Sequence, residues 1–222
     1  MVSCTFIILG ITGDLTRRKL IPAIYRLLAS GKIENFALVG AAIDDVTPDT
    51  ILSGAREFLP GVDEEVWQRL RSRTYYQQLD FLESGDFVKL AGLVARVEQE
   101  CGLSGSRLIY LAASPDYFCA ITYGIAATGI AQRRSAGGTP WHRIVYEKPF
   151  GHDLASAHEI NDCIADQFHE AQAYRIDHYL TKELVSNIAL VRFTNIVLEP
   201  LWNRQYIDQV QIVLSEQVCM RG

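Results

Sequence analysis

The densest chemistry in this 222-residue chain lies in nine consecutive residues, Arg175-Ile176-Asp177-His178-Tyr179-Leu180-Thr181-Lys182-Glu183, which bring together a carboxylate, an imidazole, a phenol and an ammonium. The spacing of Leu184, Ile188 and Val191 predicts an amphipathic helix directly afterwards, with Thr181 placed to cap it. Free amides and the positive dipole end would then face His178 and Lys182, a setting that suits a dianionic phosphate. A solvated helix start carrying an ordinary ion pair has the same composition, so the stretch by itself leaves both readings open.

A second candidate lies at the amino end. The apolar run Thr5-Phe6-Ile7-Ile8-Leu9 reads as a buried strand that enters Gly10-Ile11-Thr12-Gly13-Asp14-Leu15, and then a helical pattern carrying Leu20, Ile24, Leu27 and Leu28. Strand, glycine turn and helix in that order suit a dinucleotide. Gly10 can take the tight turn, Gly13 lets a pyrophosphate approach the backbone, and Thr12 or Asp14 can cap the helix whose start faces the anion. The competing reading is a plain strand-to-helix turn, because the spacing G-x-x-G is not the full G-x-G-x-x-G form. Pro22 predicts a kink or restart in the helix. At the end of the second apolar run, Phe36 to Ala42, Ile43 and Asp44 stand where a carboxylate would accept hydrogen bonds from the ribose hydroxyls of NAD. The 2′-phosphate of NADP would want an arginine there and would be repelled by Asp44 and Asp45. A solvated turn explains the same residues.

Lys148 is the third candidate. Arg143-Ile144-Val145-Tyr146 reads as a strand, and Lys148 follows it at the carboxyl end, where open α/β sheets form their ligand crevice. Pro149 is a candidate cis proline that would aim Lys148 into that crevice; a surface lysine ahead of a helix over 153–166 is the alternative.

The elements that must position these residues alternate. Helical patterns are expected over 50–73, 87–99 and 117–128, a short strand at Tyr75-Tyr76-Gln77 and a buried strand over Arg107 to Ala112, which together predict a parallel sheet. A change of character near residue 174 and an alternating segment from Tyr206 to Ser215, with Val210, Ile212 and Leu214 on one face, predict a second domain opening on an antiparallel strand. The expected fold is therefore a Rossmann-type, doubly wound α/β sheet over 1–174, followed by the truncated start of an α+β domain over 175–222.

Composition narrows the rest. A net charge of -5 gives no footprint for nucleic acid, and the apolar run from Phe6 is too short to span a membrane. The five cysteines are scattered with no C-x-x-C pair, so neither a disulfide framework nor a metal site is expected, and a reducing, cytoplasmic setting is.

Taken together, Gly10-x-x-Gly13-Asp14-Leu15-x-x-Arg18-Lys19-Leu20-x-Pro22-Ala23, Glu147-Lys148-Pro149-Phe150-Gly151-x-Asp153-Leu154 and Arg175-Ile176-Asp177-His178-Tyr179-Leu180-x-Lys182-Glu183 resemble the glucose-6-phosphate dehydrogenase family. Pro200-Leu201-Trp202-Asn203 and Val210-Gln211-Ile212 extend the resemblance over essentially the whole chain, but over less than half of the family's usual length. The resemblance implies oxidation of glucose 6-phosphate at C1 to the lactone, with hydride passing to NADP by default or to NAD, as the first step of the pentose phosphate pathway. It implies that Gly10, Thr12 and Gly13 lie under the cofactor pyrophosphate, that Lys148 bridges substrate and cofactor, and that His178, Tyr179 and Lys182 grip the sugar phosphate. Glu216 would hold a sugar hydroxyl, and Lys19 would approach the sugar.

The family's base is a histidine oriented by the aspartate that matches Asp177. None of the five histidines here matches it, and its place would fall beyond Gly222, so this chain alone is expected to be weakly active or inactive. The family dimerises through the sheet of its substrate domain, most of which has no counterpart in these residues, so a native-like dimer is not expected. A non-catalytic nucleotide- or sugar-phosphate-binding remnant, or a gene fragment, is the alternative. Departures from the family pattern are Thr181 for a usual glycine, Ser114 for a usual proline, and Ile43 where NADP-preferring members carry an arginine; the last tilts the expected cofactor toward NAD.

Overall fold

The computed structural model describes residues 2–134, 137–177, 180 and 183–213. Its centre is β1 (Val2–Leu9), whose residues from Cys4 onward are all buried. Ile7 and Leu9 of β1 enter one core and Phe6 and Ile8 the other, so both faces of the strand are covered, which is why it reads as an unbroken apolar run. Around it stand β2 (Ile33–Ala42), β3 (Thr74–Gln78), β4 (Arg107–Leu111), β5 (His142–Tyr146) and β6 (Ala173–Arg175), in the order β3-β2-β1-β4-β5-β6. Every pairing is parallel. This is the doubly wound order expected, with the strand sequence reversing at β1.

One face is covered by α1 (Ile21–Ala29), α2 (Pro48–Arg56) and α3 (Glu64–Ser72), through Ile24, Leu28, Leu52, Trp67 and Leu70. The other carries α4 (Ser84–Cys101), α5 (Phe118–Ala127) and α6 (Leu154–Gln167), through Leu90, Val94, Ile121, Ile125 and Ile164. Across this second face runs a buried polar clamp. Arg107 donates to both carboxylate oxygens of Glu98, at 2.8 and 2.7 Å, and the Thr5 hydroxyl donates to the same carboxylate at 2.9 Å. The guanidinium also caps the carbonyls of Gly129 and Ile130. Arg107 and Glu98 thereby tie β1, β4, α4 and the end of α5 together.

Three details correct the expectations, and one, at Pro22, follows them. The helical pattern over 50–73 is two helices, because Pro60 and Gly61 interrupt it and Asp63 starts α3 by accepting from the amides of Glu65 and Val66. Pro22 marks a restart: a π-helical turn over Thr16–Leu20 gives way to α1, with the proline in its first turn, where its missing N–H is tolerated. Strand β6 was not foreseen. Finally, Tyr206–Val213 form no strand, and the remainder of the expected strand lies outside the described residues. A single alternating segment needs a hydrogen-bonded neighbour to become a strand, and among the described residues it has none.

The chain separates into two compact units, Met1–Ile176 and Asp177–Gly222. The second contains α7 (Glu183–Thr194) and a short 3-10 turn at Glu199–Leu201. Among the described residues, no helix is long and apolar enough to cross a membrane, and no cluster of His, Cys, Asp or Glu is set to hold a metal ion.

Candidate cofactor site

The register Leu9 with Ala41, Leu9 with Leu111 and Leu111 with Tyr146 brings the ends of β2, β1, β4 and β5 to one edge of the sheet. The segments that follow are Ile43 and Asp44, the Gly10 turn, Ala112 to Pro115, and Glu147 to Pro149. At β1 the chain turns first toward β2 and later toward β4, and a crevice forms where such a reversal occurs.

Gly10 is obligatory in this turn. Its φ is +92°, and a Cβ there would stand 2.4 Å from the carbonyl oxygen of Ala112. Its amide donates to Ala41 at 2.7 Å, and its carbonyl accepts from the Gly13 amide at 3.1 Å and from the Thr16 hydroxyl at 3.3 Å. The turn is thus wedged between β2 and β4 with its backbone held. A Cβ at Gly13 would press on the Gly10 carbonyl at 3.3 Å, so the backbone of this turn is open to a ligand only because both positions lack side chains.

Neither Thr12 nor Asp14 caps the helix start, which has no side-chain cap. Thr12 instead donates its hydroxyl to Asp44 at 2.6 Å, and Asp14 pairs with Arg17 at 3.0 Å and Arg18 at 3.5 Å. The cations in the following turn outcompete the backbone amides for the carboxylate. The helix start is therefore left without a side-chain cap, and Asp14 is a partner of arginines.

Asp44 and Ile43 are presented by a fixed loop. Gln78 donates to the Ile43 carbonyl at 2.9 Å, and the Tyr76 hydroxyl lies against the carbonyls of Ala42, at 2.9 Å, and Asp44. Burial, with the charges of Asp44 and Asp45 behind it, pushes the Tyr76 phenol up to about 12, so it stays a hydrogen-bond donor. Ile43 is 63% exposed. Between this loop and the glycine turn lies a cleft of about 250 Å³, whose walls include Thr12, Asp44, Val46, Ile51, Gly54 and Arg17.

On the other side of the crevice, Lys148 is exposed and its bond to Pro149 is cis, as foreseen. The preceding Glu147 is buried and accepts from the Tyr110 hydroxyl of β4. Burial and that carboxylate hold the Tyr110 phenol far above its ordinary range. Beyond Lys148, Asp153 and Ser156 form a capping box at the start of α6, and His152 meets Asp116 at 3.1 Å, which links the loops after β5 and β4. Tyr110, Tyr76 and Arg17 were not among the expected site residues; a tyrosine one residue before the end of β4 and an arginine four residues after Gly13 were the available signals.

The described residues bring together Gly10, Thr12, Gly13, Asp14 and Asp44, with Lys148 at the end of β5. Asp177 lies in the second unit, where its carbonyl accepts from the Leu180 amide at 3.2 Å. His178, Tyr179, Thr181, Lys182 and Glu216 lie outside the described residues.

Strand order and glycine turn define a Rossmann-type NAD(P)-binding domain. The family model of the glucose-6-phosphate dehydrogenase NAD binding domain matches residues 7–187, and that of the C-terminal domain matches residues 189–222. The chain belongs to the glucose-6-phosphate dehydrogenase family of oxidoreductases. It is 40% identical to the glucose-6-phosphate 1-dehydrogenase of Chlamydia muridarum (strain MoPn / Nigg), over 97% of this chain and 44% of that protein. To that of Bacillus subtilis (strain 168) it is 37% identical, over 96% of this chain and 42% of the relative. A solved glucose-6-phosphate dehydrogenase in complex with glucose-6-phosphate superposes with a TM-score of 0.78 at 28% identity, over 91% of this chain and 42% of that one. The glucose-6-phosphate 1-dehydrogenase of Mycobacterium avium gives a TM-score of 0.72 at 33% identity, over 92% and 43%. The chain spans less than half the length of these relatives.

Proposed function

We propose that this chain carries the cofactor half, and the opening of the substrate half, of a glucose-6-phosphate dehydrogenase. The observation that carries this is the Gly10 turn, held between β2 and β4 with an uncapped helix start behind it. Its donor set fits a dinucleotide: backbone amides at the turn for a pyrophosphate, and a hydroxyl and a carboxylate at the β2 end for a ribose diol. Gly10, Thr12 and Gly13 hold the pyrophosphate, and Asp44 accepts from the adenosine ribose. Asp14 serves the cofactor through the arginines it orders. A bound nicotinamide would supply the hydride acceptor for C1 of glucose 6-phosphate, with the C1 hydroxyl proton passing to the family's base.

Residues 1–174 serve as the cofactor domain, and residues from 175 onward open the substrate domain. Lys148 lies between cofactor and sugar. His178, Tyr179 and Lys182 grip the phosphate through charge-assisted hydrogen bonds, Glu216 takes a sugar hydroxyl and Asp177 orients the base. Both NADP and NAD are accepted, with Ile43 and Asp44 tilting the ratio toward NAD compared with a relative carrying arginine at the β2 end. The free, scattered cysteines favour a reducing, cytoplasmic setting.

Calorimetric titration with NADP, NAD and glucose 6-phosphate, with an activity assay on the same sample, tests this. We expect dinucleotide binding with negligible lactone formation by these 222 residues alone, since none of their five histidines matches the family's base. Absence of binding by either dinucleotide to a folded sample overturns the cofactor reading. A robust rate overturns the claim about turnover.

A further inference from the structure

We infer that Arg17, supplied by the helix after the glycine turn, is the residue through which this chain recognises a 2′-phosphate on the adenosine ribose. The inference rests on the dinucleotide reading above and assigns within it a residue the β2 end does not provide. Ile43 brings no charge to that end, and Asp44 and Asp45 bring negative charge, so a 2′-phosphorylated ribose needs a cation from elsewhere. The cleft between the glycine turn and the end of β2 is lined by Thr12, Asp44 and Arg17 together.

Three features hold Arg17 there. Asp14 accepts from its Nη2 at 3.0 Å, which takes one of five guanidinium donors. The Phe58 ring lies 5.6 Å from its guanidinium carbon, a cation–π distance that steadies the planar group. Its aliphatic stem lies over Gly54, where a Cβ would come within 3.2 Å of Cδ. The lack of a side chain at this position in α2 leaves the room that the arginine stem occupies. The guanidinium remains half-exposed at the cleft, with donors left to fork onto a phosphate.

Two recognition elements therefore share one cleft. Asp44, already accepting from Thr12, suits the unmodified ribose diol of NAD, while Arg17 suits the additional phosphate of NADP.

The test is calorimetry on the full chain with NADP, NAD, 2′,5′-ADP and 5′-AMP, comparing the wild type with Arg17→Gln and Arg17→Lys, and thermal unfolding to confirm the fold. Arg17→Gln is expected to weaken NADP and 2′,5′-ADP by about tenfold or more, as loss of a charge-assisted pair should, and to leave NAD and 5′-AMP within about twofold. Where the glutamine variant fails to fold, Arg17→Lys keeps a charge beside Asp14 but not the fork, and is expected to weaken only the 2′-phosphorylated ligands, by severalfold. Equal loss for all four ligands, or no loss for the 2′-phosphorylated pair, overturns the inference while leaving the dinucleotide site standing. Failure of a folded wild-type chain to bind any of the four overturns both.

Discussion

At the scale of single residues, the site is a set of exchanges. Thr12 and Asp14 have the chemistry of helix caps, and each is drawn instead to a partner remote from the backbone: Asp44 in one case, Arg17 and Arg18 in the other. The helix start keeps no side-chain cap as a result, and a carboxylate is fixed at the β2 end of the crevice. Substituting Ile43 by arginine adds a second cation beside that carboxylate. Binding of NADP should strengthen by roughly tenfold, about 1.4 kcal/mol, with NAD little changed, because a charged hydrogen bond to the 2′-phosphate is gained. Titration of the Ile43→Arg chain with both dinucleotides checks this; unchanged NADP affinity would show that the β2 end does not face the 2′ position.

At the scale of elements, the buried clamp of Arg107, Glu98 and Thr5 decides how firmly the sheet meets α4. The Arg107 and Glu98 side chains are only 14% and 10% exposed, so removing one partner strands the other's polarity in the core. Arg107→Met should cost about 3–5 kcal/mol, read as a lower urea midpoint at an unchanged slope. The double variant with Glu98→Met should recover part of that loss, since an apolar pair leaves no buried charge. If the two stability losses simply add, the clamp is not a unit.

How far the elements could be read from the sequence follows from their burial. The strands β1 and β2 are covered on both faces and announce themselves as apolar runs, and Gly10 with Gly13 marks the turn between sheet and helix. Strand β6 is three residues long with only Ala173 buried, so Ala173-Tyr174-Arg175 carries no strand pattern of its own; it exists because β5 offers it an edge. The Tyr206 to Ser215 pattern is the reverse case, alternation without a neighbour among the described residues. The part of the site that escaped notice, Arg17 with Phe58 and Tyr110 with Glu147, consists of contacts between residues 37 or more positions apart, which no local spacing encodes.

At the scale of the whole molecule, stability should depend on pH through His142. Its Nδ1 accepts from the Gln132 amide at 2.8 Å, which requires the neutral ring with the proton on Nε2, facing the Gly105 carbonyl at 3.2 Å. Burial first, then the charges of Arg107 and Arg134, push its pKa down to about 4. An unfolded histidine titrates near 6.5. Between those values the unfolded chain binds the proton and the folded chain does not, so stability falls as pH drops from about 6.5 toward 4, by up to about 1.4 kcal/mol per unit. Above about 6.5 the ring is neutral in both states and the effect vanishes. His142→Gln should flatten this acid limb in urea titrations run at several pH values; an unchanged limb would assign it to carboxylates.

The strand order has a consequence for how the chain is made. β1 leaves the ribosome before every other strand of its sheet, yet it needs two neighbours, and the second is built from Arg107 onward. At about 5–20 residues per second, the edge that will meet β4 waits roughly 5–20 s with Phe6 to Leu9 translated and unpaired on that side. The hydroxyl of Thr5 likewise waits for Glu98, 93 residues later. During that interval β1, β2 and β3 can pair only with one another, leaving a three-stranded sheet with one apolar edge bare, which is the species a chaperone would hold and a second nascent chain would join.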